Sequence, residues 1–287
     1  MLSNPALESM FNIDECTVRL ARHTDRQDLL YIAQKTWGGH DYLPEILDRW
    51  MDEDWFFVCE YQAQVISCIK LSRFPNNVLW IEGLRVHPRF RGKGIAGLMN
   101  LALFDFAKNL VKKDPACCFE CCIYFANPQS SHLTQKFGFK KQNGFFYMER
   151  RGLHRVAKPR RIRDFNAEIF EYYPEYLPLN WHAVHSRLAN LPFIGKHAEI
   201  YRSPNLSFLL GTTGDRSITL LSEPKATLAE DLPYLQYFFG PRKNISIILS
   251  DELAMHLQLL MDHKFRFWEM EDGIQHNMLV LQRQIDA

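Results

Sequence analysis

The stretch IEGLRVHPRFRGKGIAGLMN spans residues 81–100, and its glycines at 92, 94 and 97 spell G-x-G-x-x-G, the spacing of a dinucleotide-binding turn. Such a turn sits directly behind its strand, opens a helix, and is answered by an acid at the end of the next strand about 20 residues on. Here HPRFR separates the strand end at Val86 from Gly92. The preceding strands WFFVCEYQ, VISCIKLSR and VLWIEGLRV form a meander and not the opening of a βαβ unit. Glu120, the acid on the following strand, lies at neither the usual distance nor the carboxyl end. A Walker loop is excluded because no G-x-x-x-x-G-K-[ST] occurs. What remains is a glycine loop of another kind. Small residues at 92, 94 and 96 let backbone N–H groups approach a pyrophosphate at a helix N-terminus. Arg89, Arg91 and Lys93 add positive charge for phosphates.

The helix after this loop is the clearest in the chain. Ile95, Leu98, Met99, Ala102, Leu103, Phe106 and Leu110 make one apolar stripe over 95–111. Upstream, ECTVRLAR reads as a strand, and Thr24 with Gln27 as a capping pair opening a helix through LLYIAQKTW. GGHDYLP then forces a loop, and LPEILDRWM reads as a second short helix. Downstream come the strand ACCFECCIYF, a short helix over NPQSSHLTQKF, and a two-strand ending, GFKK and GFFYMER, that closes near Arg151. The order is strand, two helices, three strands, helix, strand, helix, two strands.

Composition sets outer limits. The chain has 287 residues, 47% hydrophobic and 23% charged, with a net charge of +1, which suits about two domains and argues against partners held by bulk charge, such as nucleic acid or a membrane surface. The start lacks the basic and apolar regions of a signal peptide, and no uncharged apolar run reaches the ~18 residues of a membrane span. Seven cysteines, an odd number, suit a reducing compartment, and the expected location is cytoplasmic. The cluster CCFECC invites a metal reading. Along a strand, however, Cys118 and Cys122 face one way and Cys117 and Cys121 the other, so four ligands cannot converge. No metal is expected.

Arg91-x-x-Gly94-x-Ala96, introduced by VHPRF, resembles the acyl-CoA loop of the GCN5-related N-acetyltransferase (GNAT) superfamily. A second segment, NPQSSHLTQKFGF at 127–139, resembles that superfamily's N-x-x-A-x-x-L-Y-x-K-x-G-F, and the order of elements over residues 14–151 agrees. The resemblance implies an α/β (α+β) protein with the GNAT fold and its mixed central sheet, using acetyl-CoA as co-substrate. GGHDYLP together with EGLRVHPRFRGKGIAGL is similar to the histidine N-acetyltransferase group, which implies a small-molecule amine acceptor, with free amino acids such as histidine among the candidates.

The resemblance also distributes roles. Glu82 takes the place of the general base, for which a strand glutamate paired with Arg85 is the alternative. Backbone groups at Leu84 and Val86 would hold the pantetheine arm, and Arg91, Gly92, Lys93, Gly94, Ile95 and Ala96 the pyrophosphate. Asn127 would bond the cofactor's amide or cap its helix. Asp41 and Tyr42, in the acceptor loop, would attract a cationic acceptor and stack on a flat ring, or shape the loop. The superfamily's frequent tyrosine acid falls on Thr134, a poorer and shorter donor.

Beyond a basic linker, 153–165, the chain repeats the same succession. AEIYRS, LSFLLGTT and SITLLSE read as strands, LAEDLPYLQYFF as a helix despite Pro233, ISIILS as a strand, DELAMHLQLLMDHKF as a helix and HNMLVLQR as a last strand. HKFRF (263–267) echoes QKFGF (135–139). This makes residues 1–152 the acetyl-CoA-binding domain and 166–287 a degenerate GNAT-like second domain, in tandem, without a phosphate loop at SEPKATLAE. The second domain is expected to pack on the first and close the acceptor pocket. A non-catalytic acyl-CoA-binding module and a protein or peptide acetyltransferase remain the competing functions.

Overall fold

The structure, a computed structural model, describes residues 11–39, 41–111, 118–163, 165–212, 216–268 and 273–285. Cys117, half of one pair in the cysteine cluster, falls outside them. The chain forms two compact units, one of residues 1–120 with 283–287 and one of residues 121–282. The boundary expected near residue 152 falls inside the second.

In the first unit the chain runs β1 (Thr17–Leu20), α1 (Arg26–Gln34), α2 (Leu43–Asp52), β2 (Phe56–Tyr61), β3 (Gln64–Phe74), β4 (Val78–Val86), α3 (Ile95–Val111) and the start of β5 (Cys118–Tyr124). Strands β1 to β4 form an antiparallel meander, and β4 pairs in parallel with β5 from Val78↔Cys118 to Trp80↔Glu120. Alternation along β2 divides its residues between two layers. Val58 joins Leu29, Ile32, Leu47 and Trp50 in the core under α1 and α2. Phe57 instead packs edge-on against Phe106 of α3.

One irregularity in this sheet positions the site. On β3 Cys68 opposes Arg85 and Lys70 opposes Glu82. Gly83 and Leu84 therefore stand opposite Ile69 alone, a bulge that adds a residue to β4. Gly83 has φ +72°, and a Cβ there would lie 2.5 Å from two ring carbons of Trp50. Both backbone and space demand glycine.

The second unit contains α4 (Pro128–Lys136), β6 (Lys140–Arg150), β7 (Arg160–Ile162), β8 (Tyr176–Leu179), β9 (His182–His185), α5 (Leu191–His197), β10 (Ala198–Arg202), β11 (Ser207–Gly211), β12 (Ile218–Leu220), α6 (Leu228–Gln236), β13 (Ile245–Leu249), α7 (Leu257–Asp262), β14 (Arg266–Phe267) and β15 (Met278–Gln284). Several sequence expectations change here. The two-strand ending of the first half is one long strand, β6. The basic stretch expected as linker carries β7, which pairs with β10. The helix expected from Asp251 onward opens as a 3-10 turn over Asp251–His256 before α7 begins.

The echo between QKFGF and HKFRF is also out of register. Gly138 and Lys264 are the left-handed residues after their helices, at φ +75° and +68°. Phe139 N–H bonds Thr134 C=O as Phe265 N–H bonds Leu260 C=O. Helix-end geometry thus matches Gly138 to Lys264, whereas the sequence echo matches Gly138 to Arg266.

Replacing Gly83 by Ala should lower the unfolding free energy by about 2 kcal/mol or more, from overpacking and backbone strain together. Gly97→Ala, where an added Cβ meets nothing within 4 Å and φ is not positive, should be neutral or mildly stabilising. Urea unfolding of the two variants side by side checks this.

Candidate active site

The bulge decides which side chains meet. Without it, alternation puts Glu82, Leu84 and Val86 on one face, as the sequence analysis expected. With it, Glu82 and Arg85 both lie on the face of Lys70 and Cys68, beneath α1 and α2, and Val86 stands opposite Ser67 on the other face. The shared face of Glu82 and Val86 is therefore corrected.

Glu82 is partly exposed, and Ser72 Oγ donates to its Oε1 at 2.9 Å. Lys70 opposite is buried and ion-paired to Glu53 at 3.3 Å. Burial lowers its pKa, only partly countered by Glu53, Glu82 and Asp54.

Arg85 does not pair with Glu82. Its Nε and Nη2 donate to Asp41 Oδ2 and Oδ1 at 2.9 and 2.7 Å, and both side chains are at most 2% exposed. The Tyr42 ring lies 4.6 Å and the Trp37 ring 5.2 Å from the guanidinium carbon. Burial disfavours the Arg85 charge, but Tyr42 and Asp41 more than offset this and raise its pKa. Burial likewise raises the Tyr42 phenol and pushes the Cys68 thiol up to about 12, which keeps it protonated beside the site.

The loop reaches this pair because Trp37, Gly38 and Gly39 are all left-handed, at φ +44°, +65° and +91°. Asp41 Oδ1 also accepts from Leu43 N–H at 2.9 Å. The Asp41 carboxylate is thus committed to Arg85 and to the start of α2, the loop-shaping role. Sequence reasoning missed Arg85 as Asp41's partner, and with it Trp37, Trp50, Lys70 and Ser72. The available signal was an arginine two residues after a glycine, in a strand whose only other charge is Glu82.

The glycine loop leaves β4 through a 3-10 turn, Pro88–Phe90, capped by His87, whose Nδ1 accepts from Arg89 N–H at 3.2 Å. Arg91 folds back, its Nε donating to Val86 C=O at 3.0 Å and its Nη2 to Lys35 C=O at 3.4 Å. It braces the loop. Lys93 lies over Phe11 and Phe90. Gly92 and Gly94 are left-handed, at φ +73° and +84°, and a Cβ on Gly92 would meet nothing within 4 Å. Ile95 is 1% exposed, so only its backbone can face a ligand. As first residues of α3, Ile95, Ala96 and Gly97 have N–H groups without intrahelical acceptors. An exposed loop with small residues and free-facing donors at a helix N-terminus can receive a pyrophosphate.

Two further candidates lie in the second unit. Asn127 Oδ1 caps α4 by accepting from Ser130 N–H at 3.0 Å. Thr134 Oγ1 bonds back to Ser130 and Ser131 C=O at 2.9 and 3.1 Å. Its hydroxyl proton is therefore held by its own helix. Among the described residues no group of His, Cys, Asp or Glu is placed to hold a metal ion, and no helix is long and apolar enough to cross a membrane.

Against known proteins, residues 25–139 match the family model described as "Acetyltransferase (GNAT) family". This segment contains α1, the loop between α1 and α2, the bulged β4 and the glycine loop. A histidine N-acetyltransferase of Scomber australasicus is 31% identical over 114 residues, 39% of this chain and 33% of that protein. The match thus spans a third of that relative's length. The GNAT fold extends further: a GCN5-related N-acetyltransferase from Sphaerobacter thermophilus superposes with TM-score 0.61 at 11% identity, over 96% of this chain and 97% of that one. A Thermoplasma acidophilum structure gives TM-score 0.62 at 14% identity over 95% of each chain.

Asp41→Ala should cost about 3–5 kcal/mol in urea unfolding, because it leaves Arg85 buried without its counter-charge. His87 gives a pH signature. Burial, then the charges of Arg89 and Arg91, lowers its pKa below the usual value. The unfolded chain therefore binds the proton more readily, and stability present above about pH 6.5 is lost as pH falls towards the depressed folded value. Protonating Nδ1 also removes the acceptor for Arg89 N–H. The fall in unfolding midpoint between pH 7 and 5 should be shallower in His87→Gln than in the unaltered protein.

Proposed function

We propose that this chain is an acetyl-CoA-dependent N-acetyltransferase acting on a small amine. The observation that carries the reading is the juxtaposition, within one GNAT-family segment, of a hydrogen-bonded strand carboxylate, Glu82, and a glycine loop with open backbone donors at the N-terminus of α3. Acetyl-CoA supplies an activated acyl thioester. Glycines 92 and 94 leave room for its pyrophosphate, and the N–H groups of Ile95 and Ala96 would bond it, with Arg89 and Lys93 adding charge. Arg91 holds the loop's shape, and backbone groups at Leu84 and Val86 would carry the pantetheine arm.

An α-amino group is largely protonated at neutral pH, so a base must take a proton as the acyl group is transferred. Glu82 serves as that base. Ser72 orients its carboxylate, and Lys70 lies across the strand pair. The Arg85–Asp41 pair fixes the acceptor loop, and Tyr42 contributes its ring to that loop. Asn127 could still offer its amide nitrogen while its oxygen caps α4. The likeness to a histidine N-acetyltransferase favours a free amino acid as acceptor.

We also read residues 166–287 as a second, degenerate GNAT-like domain following residues 1–152 and the basic stretch 153–165. Supporting this, the antiparallel run β10-β11-β12 followed by the parallel pair β12 and β13 repeats the run β2-β3-β4 followed by β4 and β5. No residue of 221–227 takes a positive φ, unlike the loop before α3. The free thiols among the described cysteines suit a cytoplasmic setting.

One observation favours a second reading, an acyl-CoA-binding module without turnover: the Thr134 hydroxyl is tied into its helix and cannot protonate a leaving thiolate. Thiol release from acetyl-CoA across a panel of amino acids and amines separates the two. Glu82→Gln should lower turnover on the order of 10²- to 10⁴-fold with acetyl-CoA affinity nearly unchanged. Gly94→Glu should abolish binding in calorimetry by placing bulk and negative charge against the pyrophosphate. Undiminished turnover in Glu82→Gln would place the base elsewhere, and no thiol release with any amine would favour the binding module.

A further inference from the structure

Three side chains of the second unit, none of them among the candidate active-site residues, are linked in sequence. Lys141 Nζ lies 3.1 Å from His276 Nδ1, and His276 Nε2 lies 2.8 Å from Asp251 Oδ1. They come from separate places in the chain: β6, the residues just before β15, and the turn after β13. The carboxylate holds the Nε2 proton and so leaves the Nδ1 lone pair directed at the lysine. The imidazole is also fixed from behind. Its ring packs against Phe146 at 4.7 Å and sits over Gly144, where an added Cβ would come within 2.6–2.8 Å of three of its atoms. Lys141 itself is exposed. This is the order nucleophile, base and orienting group, on a residue type that ordinarily waits protonated at neutral pH with no base beside it.

We propose that Lys141 is a site of covalent acylation by small acyl thioesters, with His276 as its general base and Asp251 orienting the imidazole. The ammonium first gives one proton through His276 Nδ1 to water; the free amine nitrogen then attacks the thioester carbonyl carbon, forming the N–C bond as the C–S bond breaks. The nitrogen's proton passes to His276 Nδ1, where Asp251 stabilises the imidazolium, and the sulfur leaves as a thiolate that takes a proton from water. One amine and one thioester give one amide and one thiol, and no oxidant or reductant is needed. The step uses neither Glu82 nor the glycine loop. Acylation removes the lysine's charge and its link to His276. Lys140, next in the chain, makes no side-chain hydrogen bond among the described residues and serves as an internal reference.

The test is a time course of the full chain with limiting acetyl-CoA, read at Lys140 and Lys141 by fragment-ion mass spectrometry. Lys141 should be acetylated about tenfold faster than Lys140, a modest share of what general bases supply in enclosed sites. His276→Gln should bring the ratio close to one. Asp251→Asn, a near-isosteric change at a side chain 67% exposed, should lower it, and so should Gly144→Ala by displacing the ring. Glu82→Gln should leave the ratio as it is. Equal rates at the two lysines, or a ratio untouched by both His276→Gln and Asp251→Asn, would overturn the proposal. So would a ratio lost in Glu82→Gln, since the modification would then be the work of the acetyltransferase site.

Discussion

The buried ion pair between Arg85 and Asp41 is the constraint on which the candidate site rests. Two charges at most 2% exposed need not add net stability over an apolar pair, yet losing either partner leaves the other stranded. The pair therefore acts as a positional lock. It joins strand β4, which carries Glu82, to the loop between α1 and α2. Two aromatic faces, Trp37 and Tyr42, shield it. The lock exists only because β4 contains one residue too many. In a regular strand Arg85 would point away from Glu82 and from the loop, so Gly83 sets the partner of Asp41.

Much of this was legible in the sequence. The apolar stripe of α3, the strand order around it, the loop at GGHDYLP and the small residues at 92, 94 and 96 all follow from local pattern. The bulge was not legible, because one glycine in an apolar run carries no sign of which way it bends the ladder. Only the Trp50 ring, brought in by α2, reveals the need. For the same reason the sequence left Asp41 between facing an acceptor and shaping its loop: its arginine partner lies 44 residues away on the wrong face of an ideal strand.

The second half was harder to read. The three residues of β7 and the four of β8, one of them Pro178, are too short for periodicity, and they are strands only by virtue of their partners β10 and β9. The helix at 251–262 has a helical pattern throughout, but its first turn is wound more tightly than the pattern can express. The misread echo is instructive as well. Lys264 holds a left-handed conformation that favours glycine, so composition pointed to the wrong position and only the hydrogen bonds at the two helix ends correct it.

Strand β6 closes the first half in sequence, but its partners come from the second. Phe146–Arg150 pair with β13, and Lys140–Phe145 lie against β15. During synthesis, then, β6 leaves the ribosome long before either neighbour exists. Until residues of β13 and β15 emerge, its edges lack these partners and offer unpaired backbone groups to any other extended chain. The contacts that finally close it are among the most distant along the sequence, and such pairings form late. The newborn chain passes through a stage in which most of its first half is made while the ladders of β6 wait to be filled, and that interval is when its folding is most exposed to misassembly.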